Sequence, residues 1–191
     1  MLNDLVISKV RIKLLEMFLL NPGQIFHVRD LVRKIHEEIN AVRRELAHME
    51  KTGMVRKEPR ANRLYYSFRK DYPLYFDLMG LVAKTCGLGG QILKNKIKLG
   101  RVKFAMLSGG YARGKAANPD QVDLLIVGQI VLAELAAIVR AEEIRRTTEI
   151  NYTVMTEEEF VFRKSRRDPF LLSILEGSRI MIIGDEEELV S

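Results

Sequence analysis

The hydrophobic period of this chain changes near residue 100, and that change limits the fold more than any other feature of the sequence. Over most of residues 4–51 apolar side chains recur every three or four positions, the period of helices that pack by one face. After Gly100, short apolar runs such as VKFAML and VDLLIV alternate with helix-periodic stretches, the pattern of a sheet covered by helices. Two patterns of this kind call for two cores, and 191 residues suffice for two small ones. The expectation is a two-domain α/β (α+β) chain. Asp71-Tyr72-Pro73 breaks the first pattern, Leu74–Lys84 reads as an apolar helix, and Gly87-Leu88-Gly89-Gly90 reads as a joint before a helix over 91–99. The predicted divisions are residues 1–72, a linker helix and joint at 73–90, and residues 91–191.

Charge is divided in the same way. Residues 1–70 hold 15 Lys and Arg against 8 Asp and Glu, whereas the remainder holds 16 against 17. A basic first part beside a near-neutral second part points to a polyanion-binding module joined to something else; a merely solvated charged face is the plainer alternative. No apolar run approaches the ~20 residues of a membrane span, and the opening MLNDLVISKVRIKLL is interrupted by charge, unlike a signal peptide. The single Cys86 excludes an intramolecular disulfide and favours a cytoplasmic setting. No His or cationic cluster lies beside it in sequence, so an inert thiol is expected. His27, His36 and His48 lack ligand spacing, and no structural zinc is expected.

Residues 4–20 form an amphipathic pattern with Leu14, Leu15, Phe18 and Leu19, ended by Asn21-Pro22-Gly23. A short strand at 24–27 leads into a helix near Val28–Ile35. A second helix follows at about Glu37–Lys51, with Val42, Leu46 and Met49 inward and Gly53 as its C-terminal stop. Asn40, Arg43 and Arg44 fall on its outer face. Two strand-like runs, 54–58 and 64–68, flank Pro59-Arg60-Ala61-Asn62-Arg63. This order, with LAHMEKTGMV closing the second helix, resembles the winged helix-turn-helix of arsenical-repressor-like and multiple-antibiotic-resistance-repressor-like regulators. The resemblance covers about residues 5–70. It implies double-stranded DNA as partner, bound as a homodimer, with the second helix in the major groove. Asn40, Arg43 and Arg44 would face bases or phosphates, and Arg56, Lys57, Arg60 and Arg63 would be wing contacts to phosphate.

Further along, Val102–Leu107 reads as a strand, Val122–Val127 as a second, Ile130–Glu143 as a helix and Glu149–Met155 as a third strand. Thr156 is placed to cap a helix ahead of Glu159, a short helix follows at 169–176, and Arg179–Ile183 is a last strand. Gly109-Gly110, Tyr111-Ala112-Arg113-Gly114 and VDLLIVG resemble the DNA polymerase β-like nucleotidyltransferase superfamily, in particular its minimal members, over about residues 90–184. The resemblance implies a mixed sheet with flanking helices. It also implies a glycine turn whose amides approach a triphosphate, here Gly109 and Gly110 with Arg113 and Lys115 nearby. Two acids one residue apart on a strand would hold Mg²⁺, helped by a third on a neighbouring strand.

The sequence departs from that plan. With Asp123 as the second acid, Gln121 stands at the first position, and the third falls on Asn151. A glutamine offers one neutral oxygen where a carboxylate would bridge two cations. Asp120 is adjacent but one residue out of phase, and Glu149 is the other substitute. The expectation is a transcriptional regulator whose second domain is a degenerate nucleotidyltransferase-like sensor or assembly module, with no cofactor and at most a nucleotide ligand. The alternative is an active Mg²⁺-dependent nucleotidyltransferase using Asp123 with Asp120 or Glu149. Arg163, Lys164, Arg166 and Arg167 form a basic cluster that reads either as a phosphate site or as a solvated helix face.

Overall fold

The computed structural model describes residues 8–114, 118 and 121–191. They form helices and two sheets, a mixed α/β chain that divides into two compact units, Met1–Val82 and Ala83–Ser191. Among the described residues no helix is long and apolar enough to cross a membrane.

In the first unit the Ser8 hydroxyl accepts the Arg11 amide and starts α1 (Lys9–Leu19), which buries Ile12, Leu14, Leu15, Phe18 and Leu19. The two-residue β1 (Phe26–His27) leads into α2 (Val28–Ile35). Lys13 reaches across from α1, donates to the Ile35 carbonyl at 3.0 Å and pairs with Glu37 at 2.5 Å, placing a cation at the negative end of α2. α3 (Ile39–Lys51) buries Val42, Leu46 and Met49. Its C-terminus closes as expected: Gly53 takes φ 78°, and the Met54 amide donates to Met49 O. β2 (Val55–Arg60) and β3 (Arg63–Phe68) then make an antiparallel hairpin, and β1 pairs with the outer side of β3. Phe18 packs against Phe26 and Phe68 with centroids 5.7 and 6.2 Å apart, tying α1 to the sheet.

The hairpin corrects one expectation. Its strands run to Arg60 and Arg63, leaving a two-residue turn where the sequence predicts a five-residue loop. Pro59 lies within β2, which is tolerated because β2 is an edge strand. Ala61 takes φ 49° at the turn.

α4 (Tyr75–Thr85) carries the chain through the division between the units. The second unit is built on a mixed sheet in the order β6-β5-β4-β7. β4 (Gly100–Ser108) runs antiparallel to β5 (Leu124–Ile130) and to β7 (Arg179–Ile183), and β6 (Tyr152–Met155) runs parallel to β5. Side chains alternate between the two faces. Ala105, Leu107, Leu124 and Ile126 meet α5 (Gly87–Lys94) and α7 (Leu132–Arg146). Phe104, Met106, Leu125 and Val127 meet α8 (Glu157–Ser165), α9 (Pro169–Leu175) and α10 (Glu186–Val190). Val102 opposes Gly128 while Phe104 opposes Val127, so Lys103 is the extra residue of a bulge near the start of β4.

Several boundaries differ from expectation. The glycines at 87–90 belong to the first turn of α5 and do not form a joint. A Cβ on Gly89 would collide with Ala83 O, and one on Gly90 would lie 2.6 Å from Thr85 O. They allow close helix packing, and α5 stops at Lys94, before the predicted 99. β5 and β6 start later than predicted, leaving Asp123, Glu149 and Asn151 outside regular strands. α7 runs on to Arg146, beyond the predicted Glu143. Thr156 caps α8 through the Glu159 amide, and β7 has the predicted bounds.

Candidate functional site

Between α2, α3 and the hairpin tip the first unit carries a groove of ≈ 710 Å³. Arg29 and Arg33 come from α2, Arg43 from α3 and Arg63 from the first position of β3. Among the described residues Asp30 is the only carboxylate on its walls, and it is paired with Arg33 at 2.7 Å. His27 and Tyr65 lie on the wall with ring centroids 5.4 Å apart. Among the described residues Arg29, Arg43 and Arg63 make no ion pair. Their side chains thus line a concave, open surface with no carboxylate in ion-pair contact among the described residues.

Of the residues expected to face DNA, the groove gathers Arg43 and Arg63. Asn40 and Arg44 are exposed on α3 but outside its walls. Arg56, Lys57 and Arg60 are exposed on β2, and all three stand near carboxylates. Glu58 lies 2.6 Å from Arg56 and 2.9 Å from Arg60, and Lys57 lies 3.9 Å from Glu50. The hydrogen bond from Arg60, together with the charge of Arg56, holds Glu58 below the usual carboxylate range. Glu38 accepts the Asn40 and Ala41 amides at 2.7 and 2.9 Å, so the N-terminus of α3 is already capped by an anion. Sequence reasoning passes over Arg29 and Arg33. Their signal is the spacing in VRDLVRK, which puts two arginines four apart on one helix face, opposite Leu31 and Ile35.

In the second unit the glycine stretch is a single helical turn, α6 (Gly109–Ala112), capped by the Ser108 hydroxyl. Gly109 donates its amide to Ser178 O at 2.5 Å, and a Cβ there would collide with Ser178 Oγ. Arg113 folds back, donating from Nε to Gly109 O at 3.0 Å and from its guanidinium to Ser178 Oγ. Two of the groups assigned to phosphate by resemblance are thus engaged by the residue ahead of β7. Gly110 is half-buried in the same turn, while Lys115 and Asp120 lie outside the described residues.

Asp123 exchanges hydrogen bonds with Asn151: its amide donates to Asn151 O at 2.7 Å, and the Asn151 amide donates to Asp123 Oδ2 at 3.1 Å. Asp123 is buried, at 9% exposure. Burial raises its pKa above the ordinary carboxylate value, against the opposing pull of the Asn151 amide and the Arg146 charge. Gln121 and Glu149 are exposed, and the Asn151 side-chain amide donates to Asn118 O at 2.9 Å. Among the described residues no three His, Cys, Asp or Glu side chains stand together. A pair of Mg²⁺ ions requires bridging carboxylates. The described donors around Asp123 supply one buried carboxylate and two neutral amides, which do not fit that pair.

The turn has neighbours that sequence reasoning does not single out. Glu142 is 5% exposed on α7; Arg145 grips both its oxygens at 2.8 and 2.6 Å, and the Tyr111 hydroxyl donates to it at 3.3 Å. The Arg146 guanidinium lies 4.1 Å from the Tyr111 ring centroid. Burial pushes the Tyr111 phenol up to about 12, so it stays neutral. This network clamps the glycine turn to the end of α7. Glu142 falls within the predicted helix, and the added turn of α7 supplies Arg145 to Glu142 and Arg146 to the Tyr111 ring.

No family model and no curated protein matches the chain. A solved structure, reduced HlyU from Vibrio cholerae N16961, aligns with 44% of this chain and 80% of its own length, at 17% identity and a TM-score of 0.34. A likeness at that score carries no weight for fold or function.

Proposed function

We propose that this chain is a DNA-binding transcriptional regulator, a winged helix joined to a nucleotidyltransferase-like domain that serves as a sensor or assembly module. The observation that carries the reading is the arginine groove between α2, α3 and the hairpin. Four exposed guanidinium groups share a concave wall, three of them in no ion pair among the described residues, and such a concentration of positive charge attracts an external polyanion. Duplex DNA presents phosphates at that density. Arg43 and Arg63 sit where an inserted α3 and a wing alongside it would meet the backbone. Paired half-sites would be read by a homodimer.

For the second unit, the mixed sheet, the glycine turn at the end of β4 and Asp123 just ahead of β5 support a nucleotidyltransferase-like scaffold. The engagement of Gly109 and Arg113 by Ser178, with Asn151 opposite Asp123, supports a scaffold that does not carry out two-metal transfer.

Fluorescence anisotropy with labelled duplexes, including the region upstream of the chain's own gene, tests the first part. Affinity is expected to fall steeply with salt, and binding that is absent or insensitive to salt overturns the DNA reading. Calorimetry with nucleoside triphosphates tests the second part. Heat that appears only with Mg²⁺ and disappears in Asp123→Ala would restore the transferase reading in its place.

A further inference from the structure

The second unit holds a cavity of ≈ 390 Å³ at the opposite end of β4 from the glycine turn, against α8 and α10. The two places are separated by about six strand residues, roughly 20 Å. Its floor is apolar: the Phe104 and Phe160 rings lie 5.8 Å apart, beside Val127. An ammonium stands over each ring, Lys103 at 5.2 Å from the Phe104 centroid and Lys164 at 5.6 Å from that of Phe160.

The two ammonium groups differ in one respect. Lys103 is answered by Glu188 at 2.8 Å and Glu157 at 3.8 Å. Lys164 donates to the Leu189 carbonyl at 2.8 Å, and among the described residues no carboxylate comes within 4.0 Å of it. Burial holds Lys164 below the ordinary lysine value, against the opposing pull of the Glu188 charge. The basic cluster read from the sequence separates along the same line. Arg163 pairs with Glu159 and Asp168, Arg166 lies over Phe162, and Lys164 lines the cavity.

A partly desolvated ammonium with N–H groups to spare, above an aromatic floor, is a receptor for an anion that carries an apolar body. The size of the cavity suits a one- or two-ring molecule. Lys103 and Lys164 line it with Glu157, Glu188 and Ser191, so the wall has no excess of positive charge with which to hold a polyanion such as a triphosphate. We propose that this cavity binds a small, largely apolar monocarboxylate, with the carboxylate on Lys164 and the body against Phe104 and Phe160. The site would give the sensor part of the regulator reading a ligand, yet it stands on the geometry of the second unit and needs no DNA.

The test is calorimetric titration of the full chain, without DNA, using 1-naphthoate and its uncharged counterpart 1-naphthamide as probes. Naphthoate is expected to bind about ten-fold or more tightly than naphthamide, the worth of one charge-assisted hydrogen bond. Lys164→Met should bring naphthoate down to the naphthamide level while leaving naphthamide binding intact, which also reports that the floor has folded. Lys164→Arg should keep the preference for naphthoate. Equal affinities for the two probes, no binding of either, or a preference that survives Lys164→Met would each overturn the proposal. Because the readout needs no DNA, loss of the DNA reading and loss of this site are separate results.

Discussion

Asp123 shows how a residue typical of an active site behaves once the chain encloses it. Its raised pKa means that the folded chain holds a proton where the unfolded chain has released it. Stability therefore falls as pH rises from the ordinary value of 3.8 to the folded value, and stays at the lower level above that. Asp123→Asn removes the ionisation but keeps an oxygen for the Asn151 amide. Its melting temperature is expected to exceed the parent's at pH 7, by about 2–4 °C for each kcal/mol recovered, and to match the parent's at pH 3. A thermal-melt series across pH checks this. Gly109 makes the complementary point. An alanine there would press its Cβ into Ser178 Oγ and to 2.8 Å from Ser178 O. Gly109→Ala should cost about 1–3 kcal/mol, the usual penalty of overpacking, seen as a lower urea midpoint at unchanged slope. The sequence marks Gly109 and Asp123 as special residues. It does not say that the glycine serves the approach of Ser178, because that neighbour lies far along the chain.

At the level of elements, α3 is bounded by signals that are local in the chain. Leu46, Met49 and Gly53 place its inward face and its end, and the structure follows them. Its start is less legible, because Glu38 caps through a carboxylate where Ser, Thr, Asp or Asn is the usual choice. The two amides it accepts hold Glu38 below its ordinary 4.5, so its contribution to stability is present above that value and is lost as pH falls through the folded one. Glu38→Gln is expected to lower the melting temperature at pH 7, with the difference closing in acid; circular dichroism of the two proteins across pH decides it. The hairpin shows the reverse. Its strand runs are readable, but the reach of pairing to Arg60 and Arg63 depends on Pro59 lying on an edge, which is a property of the sheet.

At the scale of the whole molecule, the DNA reading makes a graded demand on the groove. Arg43→Ala and Arg63→Ala should each weaken duplex binding, and each phosphate left without its arginine should lower the salt slope by about one. Glu58→Gln, which frees Arg56 and Arg60, should strengthen binding only a few-fold, since exposed ion pairs are weak. Anisotropy titrations at several salt concentrations measure all three variants.

From the sequence alone come the two cores, the order of their helices and strands, the basic bias of the first unit and the isolation of Asp123 among Gln121 and Asn151. These follow from local preference and hydrophobic period, which act over a few neighbouring residues. Only the tertiary structure joins Arg29 and Arg33 to Arg43 and Arg63, seats Ser178 on the glycine turn, brings the Tyr111 hydroxyl to Glu142 and gives Lys164 the Leu189 carbonyl as its partner. Each of these depends on which distant segments share one place. Burial and counter-charge are set there, by what the rest of the chain brings to that place, and not by the residues on either side in the sequence.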